Sequence, residues 1–158
     1  MATHEKAILS EIHGHGDRDA DHVISLVDEI PPQSLVFPWF PHRLEDIFRA
    51  KPDGSPSPSY SPKAVYRVAA AMFRALRALH RRDVVHADIN GVNILISNDQ
   101  ETKLGDLGAA YHSGGTTLPA NEGSSQYESP ELAVARYNGG DARPTEASDV
   151  WAMGCVIY

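Results

Sequence analysis

The chain has 158 residues, 42% of them hydrophobic, with 14 Lys and Arg against 21 Asp and Glu, which suits one domain with a buried core. Its net charge of −7 excludes a general attraction to phosphate backbones or anionic membranes, so no nucleic-acid partner is expected. The single cysteine, Cys155, rules out an internal disulfide and a multi-cysteine zinc site; no apolar run reaches the roughly 18 residues of a membrane span, and the charged start lacks the apolar run of a secretory signal, so a cytoplasmic or nuclear protein is expected.

The spacing of Ile8, Leu9 and Ile12 predicts a helix over residues 4–12, stopped at Gly14 and Gly16. His4, His13, His15 and His22 sit nearby, but the glycines give that segment no fixed ligand geometry for a metal. Val23–Val27 reads as a strand, Pro31–Ser34 as a turn, and Leu35–Phe37 as a second strand ending at Pro38. A short helix is expected from Arg43 to Ala50. Residues 52–61, with four serines, three prolines and a glycine, read as a surface loop, whose Ser-Pro dipeptides at 55–58 and 61–62 have proline-directed phosphorylation as their alternative reading.

Ser61 as N-cap and Pro62 at the first helical position open the longest helix, with Val65, Val68, Ala69, Met72, Leu76 and Leu79 on its core face. Arg67, Arg74 and Arg77 on its other face, with Arg81 and Arg82 beyond, read as solvated. A last helix runs from near Thr145 through Tyr158. It is apolar nearly all round and is expected to be buried in a larger body, with Cys155 in a packing role.

The chemistry lies between these helices. Asn93–Ile96 and Lys103–Gly105 are extended runs joined by the turn-forming pair Asn98-Asp99, so an antiparallel hairpin is expected. Its open end places Asn93 beside Asp106. An amide oxygen and a carboxylate at one open loop suit a hard cation such as magnesium, which completes its shell with phosphate oxygens and water. Asp88, five residues before Asn93, would face the same space as a general base or hydroxyl-orienting group. Three oxygen-bearing side chains without a histidine ligand point to phosphoryl transfer.

His86-Ala87-Asp88 with Asn93, followed by Asp106-Leu107-Gly108, resembles the catalytic loop and magnesium loop of eukaryotic protein kinases. Gly123 to Glu131 is similar to the end of their activation segment, with Ser124 where Ser/Thr-directed kinases carry Thr, and Asp149-Val150-Trp151-Ala152-Met153-Gly154 resembles the start of their central helix. The resemblance implies an α+β, protein-kinase-like fold: a partial small lobe with an αC-like helix and two strands at 1–37, a hinge at 38–42, and a mostly helical large lobe at 43–158 that stops within its central helix. In that large lobe it implies a catalytic loop at 86–93, a magnesium loop at 106–108 and an activation segment at 106–131. It further implies ATP and Mg2+ as cofactors, Asp88 orienting a Ser or Thr hydroxyl of a protein substrate, Asn93 and Asp106 holding magnesium, Phe37 as gatekeeper, Pro38 and Phe40 offering hinge backbone to adenine, and Leu95 under the ring. Glu5 would be the αC glutamate, and Leu9, Leu26, His86 and Leu107 a stack linking the lobes.

The departures point the other way. No Gly-rich loop and no Val-Ala-Ile-Lys strand precede Glu5, so the phosphate lid and the phosphate-positioning Lys are missing from these residues. Ala87 replaces an Arg that answers a phosphorylated activation loop, so Thr116 or Thr117 phosphorylation would lack its partner; Asn90 replaces a Lys, and Leu107 a Phe. A Ser/Thr protein kinase with impaired activity is the main reading. A catalytically inactive pseudokinase or binding fragment is the first alternative, and a small-molecule phosphotransferase of the aminoglycoside or choline type the second; Ser129-Pro130-Glu131 and the Asp149/Trp151 element oppose the latter. Exposed apolar surface at both ends would favour a partner or self-association.

Overall fold

The computed structural model describes residues 2–14, 16–32, 34–48, 61–115, 125–140 and 142–158. The expected loop at 52–60, the end of the short helix at 49–50, and Thr116, Thr117, Gly123 and Ser124 lie outside the described residues.

Helix α1 (Ala2–His13) leads into a 3-10 turn (Ala20–His22), the strands β1 (Asp28–Ile30), β2 (Ser34–Val36) and β3 (His42–Arg43), and helix α2 (Leu44–Phe48). Helix α3 (Pro62–His80) is followed by β4 (Val84–Val85), β5 (Ile94–Ile96), β6 (Thr102–Leu104) and β7 (Tyr111–His112). A second 3-10 turn (Ser125–Tyr127), α4 (Pro130–Tyr137) and α5 (Glu146–Ile157) complete the order. The strands form three small antiparallel sheets: β1 with β2, β3-β5-β6, and β4 with β7.

Helix α3 is the axis of the core. Its N-cap is as predicted: Ser61 Oγ accepts the Ala64 N–H at 3.3 Å, with Pro62 in the first turn. Met72, Leu76 and Leu79 are buried, together with Ile8, Leu9 and Ile12 of α1 and Ile94 and Leu104 of the hairpin. Burying one such side chain contributes about 1.5–3 kcal/mol, so this cluster outweighs any single polar contact.

Four expectations change. Val23–Val27 is not a ladder strand: Val23 makes a single parallel bridge to Leu104, and the Ile24 N–H donates to the Leu104 carbonyl, so this stretch serves the core while the hairpin forms further on. The arginine face of α3 is not simply solvated. Arg77 grips Asp19 through Nε and Nη2 at 2.6 and 2.7 Å, Arg81 approaches the same carboxylate, and Arg82 reaches Asp17 at 3.0 Å. Arg77 holds the Asp19 carboxyl below the usual carboxylate range, and the Asp19 N–H, helped by Arg82, does the same for Asp17.

The third change concerns α5, which buries only the face carrying Ser148, Asp149, Ala152 and Met153; Val150 and Trp151 are exposed, and so is Cys155. The fourth is His13, which closes α1 and does not belong to a loop; its Nε2 lies 3.1 Å from the Ile24 carbonyl, and that of His4, in α1 as expected, 2.7 Å from the Ala110 carbonyl. Among the described residues no His, Cys, Asp and Glu cluster could hold a metal ion, and no helix is long and apolar enough to cross a membrane.

Candidate active site

The hairpin forms in the expected register, with Ile94 opposite Leu104 and Ile96 opposite Thr102. One further bond, Gly105 N–H to the Asn93 carbonyl at 2.8 Å, closes its open end. A β-carbon at Gly105 would lie 3.0 Å from Leu95 Cδ1, so a larger residue there would press on that side chain. Asp106 follows directly, so strand pairing brings Asn93 and Asp106 to the same end of the hairpin.

The loop from His86 to Asn93 is fixed by side chains bonding to backbone. His86 is fully buried, and its Nε2 lies 3.0 Å from the Gly105 carbonyl, tying the loop to the end of β6. Asp149 of α5, only 2% exposed, accepts the N–H groups of His86 and Ala87 at 2.8 and 3.0 Å. His80, at the end of α3, lies 3.0 Å from the same carboxylate. This grip offsets a local strain: Ala87 has φ 68°, a left-handed conformation that costs a residue with a β-carbon about 1–3 kcal/mol.

Asp88 is held by two amides. Asn90 Nδ2 donates to Oδ1 at 3.0 Å and Asn93 Nδ2 to Oδ2 at 3.0 Å, while Asn93 Nδ2 also reaches the Asp88 carbonyl at 2.8 Å. The Asn90 amide oxygen accepts the N–H groups of Val92 and Asn93, shaping the turn. Asn93 is therefore buried with its amide nitrogen committed to Asp88, so of its two amide atoms only the oxygen could hold a cation. Asp106 is exposed at φ 58°, and its Oδ1 accepts the Gly108 N–H at 3.3 Å.

Glu5 comes to this site from α1. Its Oε1 accepts the Leu107 N–H at 3.2 Å; burial pushes its carboxyl above the usual range, opposed by that N–H and reinforced by the charge of Asp106. Leu9 and Leu107 are buried in the core, with Leu26 packed against it. Among the residues expected to hold adenine and their neighbours, Phe37, Phe40 and Leu95 are partly buried against the core, whereas Pro38 is exposed and Trp39 is 87% exposed. The motif at 149–154 marks Asp149 without giving its carboxylate a task, and no sequence signal marks His80. A lone Asp at the first turn of an apolar helix was the available signal.

A family model described as "Protein kinase domain" matches residues 1–158. The chain belongs to the protein kinase family. Among curated relatives, this protein kinase chain is 36% identical to the serine/threonine-protein kinase cds1 of Schizosaccharomyces pombe over 89 residues, covering 55% of the chain and 19% of that protein. It is 28% identical to the serine/threonine-protein kinase SSN3 of Chaetomium globosum over an aligned length of 166, covering 99% of the chain and 30% of the relative. It is also 27% identical to the cell division control protein 2 homolog 3 of Trypanosoma brucei brucei, covering 99% of the chain and 47% of that protein. The protein kinase chain thus spans less than half the length of each of these three relatives.

Proposed function

We propose that this chain carries the phosphoryl-transfer site of a Ser/Thr protein kinase, moving the γ-phosphoryl group of ATP to a Ser or Thr hydroxyl of a protein substrate. In this reading residues 1–37 are a small-lobe part, 38–42 the hinge and 43–158 the large-lobe part, and the compartment is cytoplasmic or nuclear. The observation that carries it is the paired grip of Asn90 and Asn93 on the Asp88 carboxylate beside the open end of the hairpin. A carboxylate aimed by two amides is set to accept a hydrogen bond from a substrate hydroxyl and to receive its proton as transfer proceeds.

The donor set fits a hard cation: an amide oxygen from Asn93 and an exposed carboxylate from Asp106, without sulfur or imidazole. These two residues would hold Mg2+ with the ATP phosphates, and the bound ion would neutralise charge on the transferring group. The chain's own part is to keep Asn93 turned by Asp88, to present Asp106 in its left-handed conformation, and to hold Leu107 against Glu5. Pro38 and Phe40 backbone with the Leu95 side chain would take the adenine. Without the glycine lid and the phosphate-positioning Lys, phosphotransfer by the 158 residues alone should be slow, since loss of one preorganised donor commonly costs a factor of about 10²–10³.

Calorimetric titration with a magnesium-loaded, non-hydrolysable ATP analogue tests the site without needing turnover. The wild-type chain should bind, Asp106→Asn should weaken binding about tenfold or more, and Asp99→Asn in the exposed turn should leave it unchanged. Equal effects from the two substitutions would overturn the assignment.

A further inference from the structure

Charge is unevenly spread along this chain. Residues 62–82, which are α3 and the two residues after it, hold six of the 14 Lys and Arg and none of the 21 Asp and Glu. All other residues together carry the remaining eight cations against all 21 acids. The helical repeat sorts the six. Arg67, Arg74 and Arg81 follow one another at seven-residue steps, so they form a row on one side of α3, about 10 Å apart, and all three are exposed. Beside that row Tyr66, Ala70, Phe73 and Arg77 recur at steps of four, three and four, and they are exposed as well, Tyr66 at 75% and Phe73 at 45%. Met72, Ala75, Leu76 and Leu79 take the opposite face into the core.

A four-three seam of aromatic and small side chains, flanked by one sign of charge at every seventh residue, is how a helix meets a second helix. The row keeps its donors. Asp19 takes the Arg77 guanidinium through two bonds but stays 3.6 Å from Arg81, and Arg67 gives only one N–H, to Gln100 Oε1 at 3.2 Å. A guanidinium has five donors, so both retain free ones. Arg74, in the middle, makes no hydrogen bond or ion pair among the described residues.

We propose that this face of α3 docks a helix of a partner protein, one that lays apolar side chains between Tyr66 and Phe73 and sets Asp or Glu at seven-residue steps against Arg67, Arg74 and Arg81. Charge complementarity selects that occupant. A nucleic acid or an anionic bilayer would reach past the row into a chain where acids outnumber cations, and would be repelled there. A second copy of this chain does not match, because among the described residues no helix repeats an acid at seven-residue steps. The proposal is independent of the phosphoryl-transfer site and adds an interaction surface to it.

Fluorescence anisotropy on the 158-residue chain tests it with a labelled three-heptad peptide carrying Leu in its seam and Glu on both flanks, which keeps it from pairing with itself. The same peptide with Lys for Glu is the comparison. The Glu peptide should bind about tenfold or more tightly than the Lys peptide, less so as salt is raised. Arg143→Gln, an exposed arginine ahead of α5, should leave both unchanged. Phe73→Ser should weaken the Glu peptide about fivefold. The double variant Arg67→Glu/Arg74→Glu should bind the Lys peptide in preference, a reversal that loss of folding cannot imitate. Equal or absent binding of the two peptides, no reversal in the double variant, affinity unmoved by Phe73→Ser, or tighter binding of phosphatidylserine vesicles or single-stranded DNA than of the Glu peptide would overturn the proposal.

Discussion

Residues 84–107 and residues 28–40 would meet opposite ends of one nucleotide, yet they are held by different means. In the first stretch His86, Asn90 and Asn93 are buried, and each bonds to backbone or to Asp88. Asp149 pins the loop from α5, and Ile94 and Leu104 seal it into the core. In the second, all three residues of β1 are exposed, β2 is at best half-buried, and Trp39 stands in solvent. A two-stranded hairpin of that kind is marginal by itself. The contrast teaches that residues 84–107 are set by the large core around α3, whereas residues 28–36 form a weakly anchored ribbon.

Substitutions can break or sharpen that contrast. The largest effect is expected from Asp149→Ala, which strands the buried N–H of His86 together with that of Ala87: about 3–5 kcal/mol lost in urea unfolding. Leu104→Ala should cost about 3 kcal/mol by emptying the core beside α3, while Ile30→Ala, exposed on β1, should stay within about 0.5 kcal/mol. If Ile30→Ala matched Leu104→Ala, the two stretches would be equally anchored. Ala87→Gly should leave stability unchanged or raise it by about 0.5–1 kcal/mol, because glycine adopts a positive φ without the β-carbon penalty.

The smallest effect concerns pH. Asp17 and Asp19 have lowered carboxyl values in the folded chain, so their contribution is present above the ordinary aspartate value of about 3.9 and is lost as pH falls through the lowered folded values. Wild type should therefore exceed Arg77→Gln in stability at pH 6, and the two should converge as the pH drops toward 3 in the same unfolding assay. A gap unchanged over that range would show that the Asp19 pair contributes nothing.

Much of this was legible in the sequence for identifiable reasons. The Ser61-Pro62 start, the helical spacing of Met72, Leu76 and Leu79, and the Asn98-Asp99 turn are local signals, and each gave the element found. The order of His86, Asp88, Asn93 and Asp106 located the candidate site because one short hairpin brings them together. What could not be read depends on contacts distant in sequence: the pairing of Arg77 with Asp19, the reach of Asp149 to the catalytic loop, and the bond from Leu107 to Glu5. Val23–Val27 misled because a buried apolar run looks the same whether it joins a ladder or packs beside one. Cys155 misled because α5, apolar on every side, covers only one face.

Hydrogen exchange followed by mass spectrometry on the purified chain tests most directly the claim that the loop at 86–93 is assembled by the large core and not by the exposed ribbon. Backbone amides in residues 86–105 should exchange at least about a hundredfold more slowly than those in residues 28–36, at a level approaching that of α3. Equal protection of the two stretches, or faster exchange in the catalytic loop, would contradict it.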